Sequence, residues 1–360
     1  MNILKVADCY NVYIDNSFEG FYDVLKANIN ENTKIFIVTD SCVHKKYEAL
    51  FIEFANTLNA SLCVFNHGED NKSIDTISFI YNHLLENEAD KNSVIIAIGG
   101  GVVGDMAAFA AATFMRGIKF INVPTTLVSQ VDSCIGGKSG YNYRGIKNII
   151  GCFYNPKLVY ISTHFLKTLS KEHLLEGFGE IIKYGVIMDK NILDFLNNNS
   201  SGLFSFEDSI YLSIIKECLK IKAEVIAQDY NDKAFRNILN FGHTTAHAIE
   251  AESGYTIPHG IAVALGILTA LKLSEKLLKL ESDVYKNAIK LYTKLGLPTS
   301  YKVDNYEAFL YAIKHDKKNN DKINFVLLEN LNKCRIKVEV KEDDILWALK
   351  NSITMEVFNK

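Results

Sequence analysis

Seven cysteines (Cys9, Cys42, Cys63, Cys134, Cys152, Cys218 and Cys334) are scattered along the chain, and no two stand in a CxxC arrangement. Their odd number and spacing exclude a disulfide framework and a cysteine metal site, leaving reduced thiols of the kind a cytosolic enzyme carries. A surplus of one charge is also missing. The formal net charge of -3 offers no general attraction to nucleic acid or to an anionic membrane. Long apolar runs are absent: the longest, at 261–271, is about half a bilayer span. The opening MNILKVADCY lacks a basic region followed by a long apolar core, so no signal peptide is expected. There is no internal repeat and no low-complexity tail. What is there is 360 residues, 48% hydrophobic and 22% charged, enough for two domains that each bury a core in a soluble, cytoplasmic enzyme.

Two periodicities divide the chain. Up to about residue 160, short apolar runs at 34–39, 61–65, 93–98 and 118–123 read as buried strands. Amphipathic stretches near 43–58, 74–88 and 103–115 read as the helices between them, which implies βαβ units and a mainly parallel sheet. Residues 2–14 add an antiparallel edge hairpin. After Pro156 helical periods dominate, at 170–187, 206–228, 236–252, 260–280 and 283–295. The polar run NNNSSG at 197–202 reads as a loop between two helices. Runs at 323–328 and 335–340 suggest a small hairpin before a last helix at 342–353. The expected boundary falls near 155–165 and is drawn at 160/161, between an α/β half and a mainly α-helical half.

The segment RNILNFGHTTAHAIE places Arg236, Asn240, His243, His247 and Glu250 at spacings of four, three, four and three. On a continuous helix that pattern aligns all five on one face, and the apolar positions around them direct the stripe toward the protein. Buried polar groups are costly unless they are paired or bind a metal. His259 follows after the loop SGYTIP. Alone, each of these side chains reads as structural, but three histidines within 17 residues favour a divalent metal. Catalytic zinc keeps three protein ligands and one open position, so two histidines and a carboxylate also fit. The helix LLEGFGEIIKYGVI offers Glu176 and Glu180, with Lys183 one turn on; spacing does not choose between the glutamates.

Two glycine loops add anion-binding chemistry. SVIIAI leads into Gly99-Gly100-Gly101-Val102-Val103-Gly104-Asp105 and then a helix, the strand–turn–helix setting in which backbone N–H groups approach a pyrophosphate. The loop sits on a late strand and lacks an acidic residue about 20 positions on, although Asp40, at the end of an earlier strand, offers a ribose contact. The second loop, Asp132 to Asn142, contains Gly136-Gly137-Lys138-Ser139. A Walker A motif needs glycine where Asp132 stands, which excludes a nucleotide triphosphatase on that ground. The Gly-Gly-Lys turn still offers N–H groups and an ammonium to a phosphate or carboxylate. Thr125 and Thr126 end a strand, where α/β sheets bind ligands. Arg116, Lys138, Lys147, Lys183, Lys222 and Arg236 are cations on these loops and stripes; convergence of them would mean a strongly anionic ligand.

Taken in order, GGGVVGDMAAFAAATFMRG, VPTTLVSQVDSCIGGKSGYN, GIKNIIGCFYNP, GFGEIIKYGVI and RNILNFGHTTAHAIEAESGY…HG resemble the 3-dehydroquinate synthase family, as does HDKKN…KINFVLL near 315–328. The match runs over nearly the whole chain. It implies a Rossmann-like, NAD-binding α/β domain at 1–160 and a mainly α-helical, metal- and substrate-binding domain at 161–360, in a cytoplasmic homodimer that binds neither nucleic acid nor membrane. It implies zinc, with cobalt as an alternative, on Glu180, His243 and His259. For the substrate it implies Lys138, Lys147, Asn148, Lys183, Lys222, Arg236, Asn240 and His247, joined by Arg116 and by Lys317 or Lys318. For NAD it implies Asp40, Glu69, Lys72, Gly100, Gly101 and Val102, then Asp105, Thr125, Thr126 and Asp132, with Lys138, Lys147, Thr168 and Leu169. The chain departs from the family pattern at His173 and Asp232, where glutamate is usual, at Tyr230 and Ala234, and at Gly179, where alanine is usual.

The resemblance further implies the substrate, the anionic sugar phosphate 3-deoxy-D-arabino-heptulosonate 7-phosphate, which becomes 3-dehydroquinate and phosphate in the shikimate pathway. Lys138, Asn148 and Arg116 are expected at the phosphate and Arg236 at the carboxylate. The rival readings are another sugar-phosphate cyclase, a metal-dependent polyol dehydrogenase of similar fold, and a non-catalytic NAD-binding protein. The last is expected to lack a metal ligand or a substrate cation, and this chain lacks none.

Overall fold

The computed structural model describes residues 1–315 and 322–353. By compactness the chain forms two units: Met1–Ser170 with Tyr211–Asn231, and Lys171–Ile210 with the residues from Asp232 onward. The boundary expected at 160/161 thus falls at 170/171, and 211–231, expected in the helical half, belongs to the first unit. The cause lies in one helix, Asp208–Gln228, whose apolar period runs unbroken through the point where it changes unit.

The first unit is a seven-stranded sheet. Its strands are β1 (Asn2–Val6), β2 (Tyr10–Asp15), β3 (Ile35–Asp40), β4 (Ser61–Phe65), β5 (Val94–Gly99), β6 (Lys119–Pro124) and, after a separate hairpin of β7 (Lys138–Tyr143) and β8 (Ile146–Phe153), β9 (Leu158–Ser162). The spatial order is β1-β2-β9-β6-β5-β3-β4. Only β1 and β2 pair antiparallel; every other pairing in the sheet is parallel. Helices α1 (Phe21–Asn28), α2 (Ser41–Lys46), α3 (Glu48–Leu58), α4 (Ile74–Glu86) and α5 (Gly101–Thr113) complete it.

Strand alternation explains how the sheet is covered. Phe36, Val38, Ile95 and Ala97 point into one core with Ile77, Ile80, Val103 and Met106 of α4 and α5. Ile35, Ile37, Val94, Ile96 and Ile98 point into the other, among Phe18, Phe21, Phe51, Phe54 and Phe165. A strand buried on both faces reads as a continuous apolar run, so β3 to β6 stand where the sequence puts them. The hairpin β7–β8 and β9 are additions to the sequence reading. In β7 and β8 polar and glycine residues hide the period; in β9 only five residues carry it.

The second unit is mainly helical: α6 (Lys171–Ile187), α7 (Asn191–Asn198), α8 (Ser200–Phe204), the start of α9 (Asp208–Gln228), α10 (His243–Glu252), α11 (His259–Leu278), α12 (Ser282–Leu295), α13 (Tyr306–Lys314) and α14 (Glu342–Ser352), with the hairpin β10 (Asn324–Asn330) and β11 (Lys333–Glu339). NNNSSG is not a loop: α7 and α8 run through most of it, because burial of Ile192, Leu196 and Leu203 overrides weak local propensity. Helix α13 is a further addition. No described helix is long and apolar enough to cross a membrane.

The helix expected at 236–252 is broken. Residues Phe235–Asn240 form a 3-10 turn, Gly242 takes a left-handed φ of +79°, and α10 starts at His243. The five-residue stripe is therefore split in two. The break follows from packing against α11: a Cβ on Gly242 would stand 2.8 Å from the Ile267 nitrogen, and one on Gly266 would overlap the Gly242 carbonyl oxygen. About two turns into α6, the same device recurs. A Cβ on Gly179 would overlap the Gly260 oxygen, and one on Gly260 the Glu176 oxygen. Helix α11 thus meets α6 at one glycine pair and the α10 start at another. Alanine is the better helix former, but here overlap with backbone dominates. Gly266→Ala is expected to destabilise the protein by about 2 kcal/mol, read as a lowered thermal midpoint; an unchanged midpoint contradicts the close approach.

Candidate metal centre and cofactor loops

The glycine contacts of α11 bring Glu180 of α6, His243 at the start of α10 and His259 at the start of α11 into one group. Their ligand atoms all lie within 4.8 Å of one another, and no other such group occurs among the described residues. Glu180 is 1% exposed. Both histidines turn Nε2 toward the same carboxylate oxygen: His243 Nε2 is 3.7 Å and His259 Nε2 3.3 Å from Glu180 Oε1. Both also use Nδ1 elsewhere. His243 Nδ1 donates to the Phe241 carbonyl at 3.2 Å, and His259 Nδ1 faces Glu250 Oε2 at 3.5 Å. Partners on Nδ1 fix the tautomer that leaves Nε2 for a metal. Donors ~2.1 Å from one tetrahedral ion stand about 3.4 Å apart, so the observed spacing fits a zinc-sized dication.

The electrostatics agree. Lys183, 1% exposed, pairs with Glu180 Oε2. Burial, reinforced by the nearby Lys183 and histidine charges and opposed by Glu180, drives His243 well below the ordinary histidine pKa, so it is a neutral donor. Burial also disfavours charge on His259, but Glu180 and Glu250 outweigh it and push its pKa up to about 10. Glu176, the alternative carboxylate, lies outside the group; burial, partly offset by His259, pushes it up to about 7. His247 also stays outside the ligand set, its ring 5.8 Å from that of His243 and 6.5 Å from that of His259. Arg236 is buried on the 3-10 turn and Asn240 half-buried at its end. Lys317 and Lys318 lie outside the described residues.

In the first unit the loops after β5 and β6 form a glycine and threonine cradle. Gly100 precedes α5, Gly101 opens it, and half-buried Val102 follows. The Thr125 nitrogen donates to the Gly99 oxygen at 2.9 Å, and a Cβ on Gly100 would crowd Thr126 Cγ2 at 3.0 Å, so glycine eases the approach of the two loops. No side chain caps the start of α5, and an uncapped helix N-terminus of this kind can hold a pyrophosphate. Asp40 ends β3 and caps α2, its Oδ1 accepting from the Cys42 and Val43 nitrogens at 2.8 and 2.9 Å. Thr168 binds the Tyr47 hydroxyl at 2.8 Å and is followed by half-buried Leu169; His173 is exposed.

Around Lys72 the structure assembles a network that sequence spacing did not reveal. Lys72 Nζ donates to Asp105 Oδ2 and to Asn148 Oδ1, each at 2.5 Å. Burial works against its charge, but Asp105 and Glu69 outweigh that and hold its pKa above the ordinary lysine value. Asn142, missed in the sequence, ties the group together. Its nitrogen donates to the Lys72 oxygen at 2.8 Å, its Nδ2 to Glu69 Oε1 at 2.9 Å, and its Oδ1 accepts from the Asn148 nitrogen at 2.9 Å. A register shift between β7 and β8 sits here, with Asn148 at φ +50°; the bulge turns that side chain back onto Lys72. Lys147 beside it is half-buried.

Lys138 is exposed and opens β7, so the Gly-Gly-Lys turn leads into a strand and not into the helix of a Walker motif. Lys222 is buried and donates to the Asp132 carbonyl at 2.8 Å and to its Oδ1 at 2.9 Å. Arg116 stands exposed past the far end of α5, roughly 20 Å along the helix from Gly101. Within this protomer it does not join the Lys72 group.

Residues 62–176 match the family model described as 3-dehydroquinate synthase N-terminal, and 177–319 the one described as 3-dehydroquinate synthase C-terminal. A 3-dehydroquinate synthase of Clostridium tetani is 51% identical over 345 residues, 96% of this chain and 92% of that protein. Among solved structures, a 2-epi-5-epi-valiolone synthase from Streptomyces hygroscopicus, with NAD+ and Zn2+ bound, superposes with a TM-score of 0.88 at 22% identity, covering 98% of each chain. A 2-deoxy-scyllo-inosose synthase complexed with carbaglucose-6-phosphate, NAD+ and Co2+ gives 0.87 at 24%, covering 98% of this chain and 100% of that one. These two establish the fold.

The raised His259 pKa sets a sign for metal binding. Below about pH 10 the metal-free His259 holds a proton that a ligand must shed. Zinc binding at pH 7 is therefore expected to release close to one proton, with affinity rising with pH. Calorimetry in buffers of different ionisation heat reads this; no proton release contradicts the raised pKa of metal-free His259. Glu250→Gln is expected to weaken zinc affinity about 10-fold or more.

Proposed function

The chain belongs to the 3-dehydroquinate synthase family, and we propose that it works with NAD held by the first unit and with zinc or cobalt held by Glu180, His243 and His259 of the second. It converts 3-deoxy-D-arabino-heptulosonate 7-phosphate to 3-dehydroquinate and phosphate: the substrate is oxidised, loses phosphate by β-elimination, is reduced at the same carbon, opens, and closes by an intramolecular aldol reaction. The observation that carries the metal reading is the pair of imidazoles with Nε2 aimed at one buried carboxylate oxygen. Identity of 51% over 96% of the chain favours this substrate over those of the cyclases at 22 and 24%.

When bound, NAD supplies reversible oxidation without being consumed, and the divalent metal acidifies the hydroxyl that is oxidised. The chain's own residues do the rest. Lys138 and Asn148 bind the phosphate, with Lys147 beside them, and Arg116, which stands apart from them within one protomer, joins only across the homodimer. Arg236 binds the carboxylate as a planar two-pronged donor, and Asn240 orients the neighbouring hydroxyls. Lys222, held by Asp132, is a fixed cation whose position costs nothing to organise during the reaction. Lys183 offsets the buried charge of Glu180. His247, one turn from His243 and outside the ligand set, is placed to hold or pass a substrate proton at its ring nitrogens.

Asp40, Glu69, Lys72, Gly100, Gly101, Val102, Asp105, Thr125, Thr126 and Asp132 hold NAD, with Lys138, Lys147, Thr168 and Leu169 at its margins. The reading extends to a homodimer in the cytoplasm.

The test follows phosphate release and absorbance at 340 nm together, with catalytic NAD and zinc. Phosphate in step with substrate, without net NADH and abolished by chelator, is the expected result. NADH accumulating on a polyol overturns the reading in favour of a dehydrogenase. Lys138→Ala is expected to cost about a hundredfold in turnover with the fold intact; near-normal turnover removes Lys138 from the site.

A further inference from the structure

We propose that Tyr230 is a positioning residue for Lys138, an inference that rests on the reading of Lys138 as a substrate contact. Lys138 leaves a turn of two glycines, Gly136 and Gly137, with φ of +100° and +69°. Such a turn is permissive, and a flexible lysine at its end needs the backbone fixed from outside. Two backbone bonds do part of this. The Gly136 nitrogen donates to the Tyr10 hydroxyl at 3.2 Å, and the Tyr154 nitrogen donates to the Gly137 oxygen at 2.7 Å.

Tyr230 supplies the opposite wall. Its hydroxyl donates to Asn155 Oδ1 at 3.0 Å, and the two atoms lie directly over the Gly137 Cα. A Cβ there would stand 2.5 Å from the Tyr230 oxygen and 2.8 Å from Asn155 Oδ1. The Tyr230 ring also rests on Phe153, with centroids 5.4 Å apart, and Phe153 is the β8 residue directly opposite Lys138. Tyr230 therefore touches the residue before Lys138 and its cross-strand partner.

It follows α9, the helix that carries Lys222, whose ammonium binds Asp132 at the other end of the same loop. The C-terminal half of α9 and its continuation thus hold the loop from Asp132 to Lys138 at both ends. Loss of the Tyr230 wall frees Gly137 to move and carries the Lys138 ammonium off its mark. A displacement near 1 Å at a reacting group costs up to about 100-fold in rate.

The experiment compares Tyr230→Ala and Tyr230→Phe with the unsubstituted enzyme in kcat, KM, thermal midpoint, zinc affinity and the dissociation constant of inorganic phosphate, the reaction's own product. Tyr230→Ala is expected to lower kcat/KM about tenfold or more and weaken phosphate binding, with zinc affinity unchanged. Tyr230→Phe keeps the ring on Phe153 and is expected to show the same changes at smaller size. In a Lys138→Ala background, Tyr230→Ala is expected to add little, because its effect passes through Lys138. A Tyr230→Ala variant with a lowered midpoint but kcat/KM and phosphate binding within twofold of normal overturns the positioning role, as does an undiminished effect in the Lys138→Ala background. Lys138→Ala with normal turnover overturns the reading of Lys138 and the positioning role with it.

Discussion

The metal centre depends on how closely α11 approaches its neighbours. Gly260 admits the backbone of α6 at Glu176 and Gly179, and Gly266 admits the turn at Gly242. Each contact sets one ligand against His259, which starts α11 itself. The first places Glu180, the second His243. The cost is substantial: glycines inside helices forgo about 0.5–1 kcal/mol each relative to alanine. A carboxylate as buried as Glu180 also demands positive charge. Lys183 supplies part of it, and a dication held between the carboxylate and two imidazoles would supply more. Glu250 and the Phe241 carbonyl then fix both rings from behind. Helix packing, electrostatics and tautomer selection all point to one ion at one place.

The first unit meets a different constraint. Its inner strands β3, β5, β6 and β9 are buried on both faces, so their side chains build core and their carboxyl ends are where ligand groups are displayed. Asp40, the Gly99–Gly101 loop, and Thr125 with Thr126 all lie at such ends. The remaining polar groups come from the β7–β8 hairpin, where a bulge and two glycines re-aim side chains that a regular ladder would send elsewhere. Lys72 is the hub: buried and charged, it is satisfied only because Asp105 of α5 and Asn142 and Asn148 of the β7–β8 hairpin meet it.

Much of this was legible in the sequence, for stated reasons. β3 to β6 are continuous apolar runs, α4 and α12 carry clean helical periods bounded by polar residues, and α5 is apolar on nearly every side. The glycine loop after β5 was visible because strand, glycines and helix follow in order. The limits were equally physical. The stripe from Arg236 to Glu250 keeps helical spacing across Gly242, so nothing local announces that α11 cuts it in two. Spacing on α6 left Glu176 and Glu180 equivalent; only the crossing with α11 separates them, which the family resemblance had implied. Lys222, Asn142 and Tyr230 act through partners dozens of residues away, and no local pattern encodes a pairing of that kind. Glu250 belonged to the stripe, but its contact with His259 required the turn between α10 and α11.

The central claim is that three side chains, and not the run of histidines alone, form the metal site. X-ray absorption at the zinc edge of the metal-loaded protein tests it most directly, because imidazoles are counted by their multiple scattering. The account predicts two imidazoles and oxygen ligands in the first shell, falling to one imidazole in His259→Ala and staying at two in His247→Ala. Three imidazoles in the unsubstituted protein, or loss of one in His247→Ala, contradict it.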